Sequence, residues 1–138
     1  MKKIIALRGK GGSGKTTTIN LLPSILNNHG YSQVENMYQS HGADFLDIFE
    51  KNGIKVGITS SGDSFDLVKD RLDDLVKESC DVCICACRTF DRRPPGTNAA
   101  TKRYSDYKTY YLEKEYASDS LARSKANASD AQKLYEMI

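Results

Sequence analysis

The sequence predicts an α/β domain in three layers: a sheet of about five strands, mostly parallel with an antiparallel edge hairpin, and helices on both faces. Three observations carry this. The short apolar run Lys3-Ile4-Ile5-Ala6-Leu7-Arg8 leads through a glycine-rich loop into a helix-patterned stretch, the opening of a β-loop-α unit. Asn52-Gly53 separates two strand-like runs, as in a tight hairpin. A helix-periodic stretch from Ser64 to Ser79 is followed by a second buried apolar run, Asp81–Cys87, the alternation that builds parallel sheets. With 138 residues, the chain is expected to form one domain over 1–138.

The loop is Gly9-Lys10-Gly11-Gly12-Ser13-Gly14-Lys15-Thr16. It satisfies G-x-x-x-x-G-K-[ST] at every fixed position, between a strand and a helix as that pattern requires. Glycines lack Cβ, so the backbone can curl around an anion and aim several N–H groups at it. The following helix, expected over Thr16–Leu26, adds its unpaired first N–H groups and positive dipole end. In this reading Lys15 reaches the β- and γ-phosphate oxygens of a nucleoside triphosphate. The Thr16 hydroxyl ligates Mg²⁺, and Thr17 completes the binding set. ATP is expected rather than GTP, because the sequence contains no N-K-x-D guanine motif.

Lys10-Gly11-Gly12-Ser13-Gly14-Lys15-Thr16 also resembles the deviant Walker A loop, K-G-G-x-G-K-[ST], of the P-loop ATPases that partition chromosomes and plasmids and place the division site. The resemblance covers positions 10–16. It implies a nucleotide-bound homodimer in which Lys10 reaches across to the partner's nucleotide, with Lys10, Lys15 and an acidic residue as the catalytic set.

Asp63 is the acidic candidate. It follows a strand-like run and precedes a helix, where P-loop proteins place a carboxylate that holds the Mg²⁺ shell or orients a nucleophile. Aspartate is equally favoured as a helix N-cap, so both readings stand. Ser60-Ser61-Gly62 separates the apolar run from the acid, a departure from a continuous Walker B pattern that bears on hydrolysis more than on binding. Arg88 lies just past the apolar run Asp81–Cys87, at the carboxyl edge where open α/β sheets bind ligands. It is placed to stack on the base or pair with a phosphate. From Arg88 to Arg103 there are five basic residues and one acidic, either a lid over a triphosphate or a solvated loop.

The remaining segments follow in order. Pro23 removes a backbone donor inside the first helix and predicts a local defect there. Asn27-Asn28-His29-Gly30 ends that helix, with Gly30 as the left-handed cap and His29 near the dipole's negative end. Tyr31–Ala43 is polar and weakly patterned and reads as a loop, with His41 on its surface. Phe45–Phe49 and Ile54–Thr59 form the hairpin arms. Phe65, Val68, Leu72, Leu75 and Val76 lie on one face of the Ser64–Ser79 helix. Tyr107–Tyr116 is the expected last strand, and Ser129–Ile138 a terminal helix capped by Ser129 or Asp130.

The four cysteines, Cys80, Cys83, Cys85 and Cys87, invite a metal reading that geometry opposes. Residues i and i+2 of a strand are about 6.7 Å apart on one face. Thiolates sharing one zinc lie within about 4 Å of each other, given Zn–S distances near 2.3 Å. They read as small apolar filler in a reducing compartment. No apolar run approaches the roughly 18 residues of a membrane span. The short apolar stretch after Met1-Lys2-Lys3 leads into the loop, so a cytoplasmic protein is expected. A net charge of +2 provides no global field for nucleic acid.

Two functional classes remain open. One is an enzyme, an ATPase or small kinase. The other is a nucleotide-binding module whose occupancy switches a protein contact. A third reading, nucleic-acid binding through residues 88–108 with Tyr104 and Tyr107 among basic residues, is the least favoured.

Overall fold

Side-chain alternation assigns each central strand to two opposed hydrophobic faces. In the computed structural model, which describes residues 2–91 and 93–138, strand β1 (Lys3–Arg8) turns Ile4 and Ala6 to one face and Ile5 and Leu7 to the other. Met1 and Arg92, the latter one of the five basic residues counted above, lie outside the described residues. The chain continues through helices α1 (Lys15–Asn20) and α2 (Leu22–Asn28), short strands β2 (Ser32–Gln33) and β3 (Gln39–His41), and the hairpin β4 (Asp44–Lys51) and β5 (Ile54–Thr59). Helix α3 (Phe65–Lys77), strand β6 (Val82–Cys87), helix α4 (Thr97–Thr101), strand β7 (Lys108–Glu113) and helix α5 (Ser120–Glu136) complete it.

The architecture is mixed α/β. The sheet runs β2-β4-β5-β6-β1-β7, with β3 also paired to β4. Strands β5, β6, β1 and β7 are mutually parallel, and β4 is antiparallel to β5, β2 and β3. Seven strands replace the expected five. The two extra ones lie along the outer side of β4, so the hairpin is not the sheet edge. Their residues are exposed or half-buried, so they lack the apolar alternation that marks a strand in sequence. The expected loop over Tyr31–Ala43 is corrected accordingly. His41, at the end of β3, is half-buried, with its ring nitrogens at Gln39 and Arg71.

The hairpin turn is as read. Asn52 and Gly53 have φ of 52° and 79°, the double left-handed geometry of a tight β-hairpin. The helices cover both faces. Val68, Leu72 and Leu75 of α3 and Ala100 of α4 pack on the face carrying Ile4, Cys83, Cys85 and Cys87. Ile19, Leu22, Leu26 and Leu134 pack on the face carrying Ile5, Leu7, Ile84 and Phe49.

Two helices depart from expectation. The first is broken at Leu21 rather than kinked at Pro23, and Pro23 falls in the first turn of α2, where its missing N–H has no partner to lose. The last helix starts nine residues before Ser129. Its N-cap is Asp119, which accepts from the Ala122 N–H at 2.9 Å. Its first two turns are mostly exposed, Leu121 included, so they show no apolar face to read, and Asp130 is a buried mid-helix residue rather than a cap. Among the described residues no helix is long and apolar enough to cross a membrane.

Candidate functional site

The glycine loop joins the carboxyl end of β1 to α1. It is anchored by the Gly9 N–H donating to the Cys87 carbonyl at 3.1 Å and by a turn in which the Ser13 N–H meets the Lys10 carbonyl at 3.3 Å. Gly14 has φ of 97°, and a Cβ there would lie 2.7 Å from Asn127 Oδ1. Only glycine meets both constraints. Asn127 Oδ1 in turn accepts from Thr18 at 3.2 Å, so α5 forms one wall of the loop.

Lys15 is buried and folds back on its own loop. Its Nζ donates to the Gly9 carbonyl at 2.6 Å and the Lys10 carbonyl at 2.9 Å. Burial, then the nearby Arg88 guanidinium, lowers its pKa from the usual lysine value. The loop from Gly11 to Thr17 borders a cavity of about 360 Å³ whose other walls include Asp44, Ser60, Asp63 and Asn127. Thr17 is exposed on this wall.

Thr16 points at a carboxylate the sequence reading did not select. Its Oγ1 donates to Asp44 Oδ1 at 3.3 Å, and Ser60 Oγ donates to the same oxygen at 3.0 Å. Asp44 begins β4 and Ser60 follows β5, so their meeting is a product of the antiparallel pairing. A carboxylate at a strand start is the one local signal that pointed to it.

Asp63 also lines the cavity, but it is not the α3 cap. Ser64 takes that place and accepts from the Leu67 N–H at 3.3 Å. Asp63 instead pairs with Arg88 at 3.0 Å. Arg88 lies directly beyond β6, with its backbone N–H on Thr97 Oγ1 at 2.7 Å. Its guanidinium covers Gly11, where a Cβ would sit 2.6 Å from the nearer terminal nitrogen. The Arg88–Asp63 pair therefore bridges two loops across the face of the glycine loop. Lys10 is exposed and packs over its own chain's Tyr116, with Nζ 4.1 Å from the ring centroid.

A buried ion pair braces the loop from behind. Lys114 and Asp130 form a fully buried ion pair at 3.0 Å, and Asp130 also accepts from the Glu115 N–H at 2.9 Å. A Cβ on Gly9 would lie 2.9 Å from Lys114 Cβ, so this pair fixes β7, α5 and the loop together. Nothing in the local sequence around either residue announces it.

The segment after Arg88 is ordered by Asp91. Its carboxylate accepts from the Asn98 N–H at 2.9 Å and the Ala99 N–H at 3.1 Å, serving the start of α4 from outside the helix. Tyr104 and Tyr107 do not form a stacking platform. Tyr107 is buried with its hydroxyl on the Cys80 carbonyl at 2.6 Å, and Tyr104 is half-buried with its hydroxyl on Asp73 at 2.6 Å. That removes the aromatic part of the nucleic-acid reading.

The four cysteines are free and buried, and Cys83, Cys85 and Cys87 lie on one face of β6 among apolar side chains. Burial pushes the Cys85 thiol well up and the Cys87 thiol to about 12. Compared with known proteins, the chain matches no family model, no curated protein and no solved structure.

Proposed function

We propose that this chain is a three-layer P-loop nucleotide-binding domain that takes a purine nucleoside triphosphate, ATP in preference to GTP, together with Mg²⁺. The observation that supports this best is the cavity against residues 11–17, with the Lys15 ammonium held at the loop by two loop carbonyls. A buried ammonium satisfied only by neutral carbonyls gains when an anion replaces them, because hydrogen bonds between charged groups are roughly twice as strong. Gly11, Gly12, Ser13, Gly14, Thr16 and Thr17 supply the surrounding wall, and Gly9 and Lys10 supply the two carbonyls that hold Lys15.

The residues present fit Mg²⁺. It takes oxygen ligands and is bound by one or two carboxylates plus substrate phosphates. The hydroxyls of Thr16 and Ser60 converge on the Asp44 carboxylate. Asp44 thus joins Asp63 as a candidate for the metal shell and is the one in contact with Thr16. When bound, the ion would neutralise phosphate charge.

The rate of hydrolysis is a separate matter. Among the described residues, both carboxylates lining the cavity are engaged, Asp44 by two hydroxyls and Asp63 by Arg88. Asp44 already accepts two hydroxyls, and the exposed Arg88–Asp63 pair would have to open before Asp63 could serve as a base for water. This favours a second reading, a nucleotide-occupied module with little hydrolysis that switches a partner contact. Lys10 in a homodimer is compatible with it, provided the side chain leaves Tyr116.

Calorimetry with ATP and GTP in the presence of Mg²⁺ tests the main reading. Hydrogen bonds to charged groups contribute about 1.5–3 kcal/mol. Lys15→Ala should therefore weaken ATP roughly 10- to 150-fold. Asp44→Asn should lose most of the gain in affinity that Mg²⁺ provides. Equal ATP affinity in the parent and Lys15→Ala would refute the proposal.

A further inference from the structure

The glycine loop has a second cavity on its other side, of about 1090 Å³. Gly11, Ser13 and Asp63 line both cavities, so the loop crest and Asp63 form a shared wall. The larger one is built for a ligand of a particular kind. Phe90 and Tyr116 on its walls are 76% and 52% exposed, and Phe65 is half-buried there. The exposed Phe90 face can take a planar ring by stacking, while the Tyr116 ring already carries Lys10 at 4.1 Å and forms an aromatic edge to the same space. Arg88, Arg93 and Lys10 line the same space and supply cationic groups for an anion.

Two details locate the anion at the loop end of this cavity. Arg88 is held by the Asp63 carboxylate at 3.0 Å, an exposed pair that an incoming phosphate can replace, since such pairs contribute little. Ser13, nine-tenths buried, has an Oγ with no hydrogen-bond partner among the described residues, and Ser13 lines both cavities. A buried hydroxyl without a partner is rare enough to need an explanation, and an oxygen-rich ligand reaching the crest provides one.

From this we infer that the larger cavity is an acceptor site for a nucleoside monophosphate, whose base stacks on Phe90 and whose phosphate takes Arg88 from Asp63. The inference rests on triphosphate binding at the loop. It adds the substrate class and the reaction. An oxygen of the acceptor phosphate forms a bond to the γ-phosphorus. The bond from that phosphorus to the β–γ bridging oxygen breaks, and its electron pair leaves on the nucleoside diphosphate. The acceptor becomes a second diphosphate. A phosphate nucleophile is already anionic, so the step needs no general base.

The test uses the full chain with Mg²⁺ and a non-hydrolysable ATP analogue. Calorimetry first measures the analogue alone, then each of the common ribonucleoside monophosphates on the saturated protein. Product formation with ATP is followed by phosphorus NMR. At least one monophosphate should bind and yield two diphosphates. Phe90→Ala, at an exposed position the fold does not depend on, should weaken that monophosphate at least fivefold. Arg88→Gln should weaken it at least tenfold. If the analogue does not bind, the triphosphate reading itself fails. If the analogue binds and no monophosphate does, the acceptor site is wrong while the triphosphate site stands. Monophosphate binding unaffected by Phe90→Ala overturns the placement. So does an analogue-dependent dimer that excludes monophosphate, because a second copy then fills the cavity.

Discussion

Lys114→Met removes one member of the buried ion pair behind the glycine loop and keeps most of the side chain's shape. The Lys114 and Asp130 side chains are 0% and 2% exposed. Breaking such a pair leaves an uncompensated charge out of water, which costs about 3–5 kcal/mol. Asp130 would keep the Glu115 N–H at 2.9 Å and the more distant Lys133 ammonium at 4.0 Å, so the lower end applies. With a urea m-value of about 1.5 kcal/mol/M, a loss of about 3 kcal/mol lowers the midpoint by about 2 M. The companion variant Lys114→Met/Asp130→Leu removes both charges and should recover most of the loss, because buried pairs are often replaceable by apolar residues of similar size. Urea unfolding followed by far-ultraviolet circular dichroism reads both. A loss under about 1 kcal/mol in the single variant would refute the reasoning. So would a double variant no more stable than the single one.

Other predictions concern the loops around the site. Burial raises the Asp91 pKa, but hydrogen bonds from Asn98 (backbone and side chain) and from the Ala99 and Gly96 N–H groups outweigh it and hold the group below the usual carboxylate value. Its contribution is therefore present above pH 3.8 and lost as pH falls through its depressed pKa. Asp91→Ala should cost about 1–2 kcal/mol at neutral pH, the range for losing a helix cap, and the difference from the parent should shrink in acid unfolding. Lys15 has the opposite form. Its pKa is lowered in the folded state, so the protein carries the full penalty below that pKa and sheds it as pH rises toward 10.5. The parent should gain stability relative to Lys15→Met over that alkaline window, a comparison in which other titrating groups cancel. A difference that stays flat up to pH 10.5 would mean that Lys15 is not desolvated.

The parts of this fold with local causes were legible in the sequence. The β1-loop-α1 unit is written in glycine spacing, the β4–β5 turn in Asn52-Gly53, and α3 in the recurrence of Val68, Leu72 and Leu75. What escaped has distant causes. Strands β2 and β3 exist because β4 offers an unpaired edge, and their own residues are too polar to say so. Asp63 is a stronger N-cap residue than its position shows. It pairs instead with Arg88, distant in sequence, and Ser64 caps the helix. Asp44 reaches Thr16 only through the hairpin, and Asn127 reaches Gly14 only through the docking of α5. Half of the candidate site is thus set by tertiary contacts with no signature at either end.

The burial of all four cysteines makes them a clock for the opening of the whole molecule. Each thiol lies inside the sheet–helix seam, and none can meet a reagent until β6 or the turn that leads into it is uncovered. An aromatic disulfide reagent added to native protein should then react at the rate of unfolding or local opening. Ligands that close the loop should slow the colour change in proportion to their occupancy. The chain carries its own labelling probe, placed under the site and silent while the strand beside β1 stays covered.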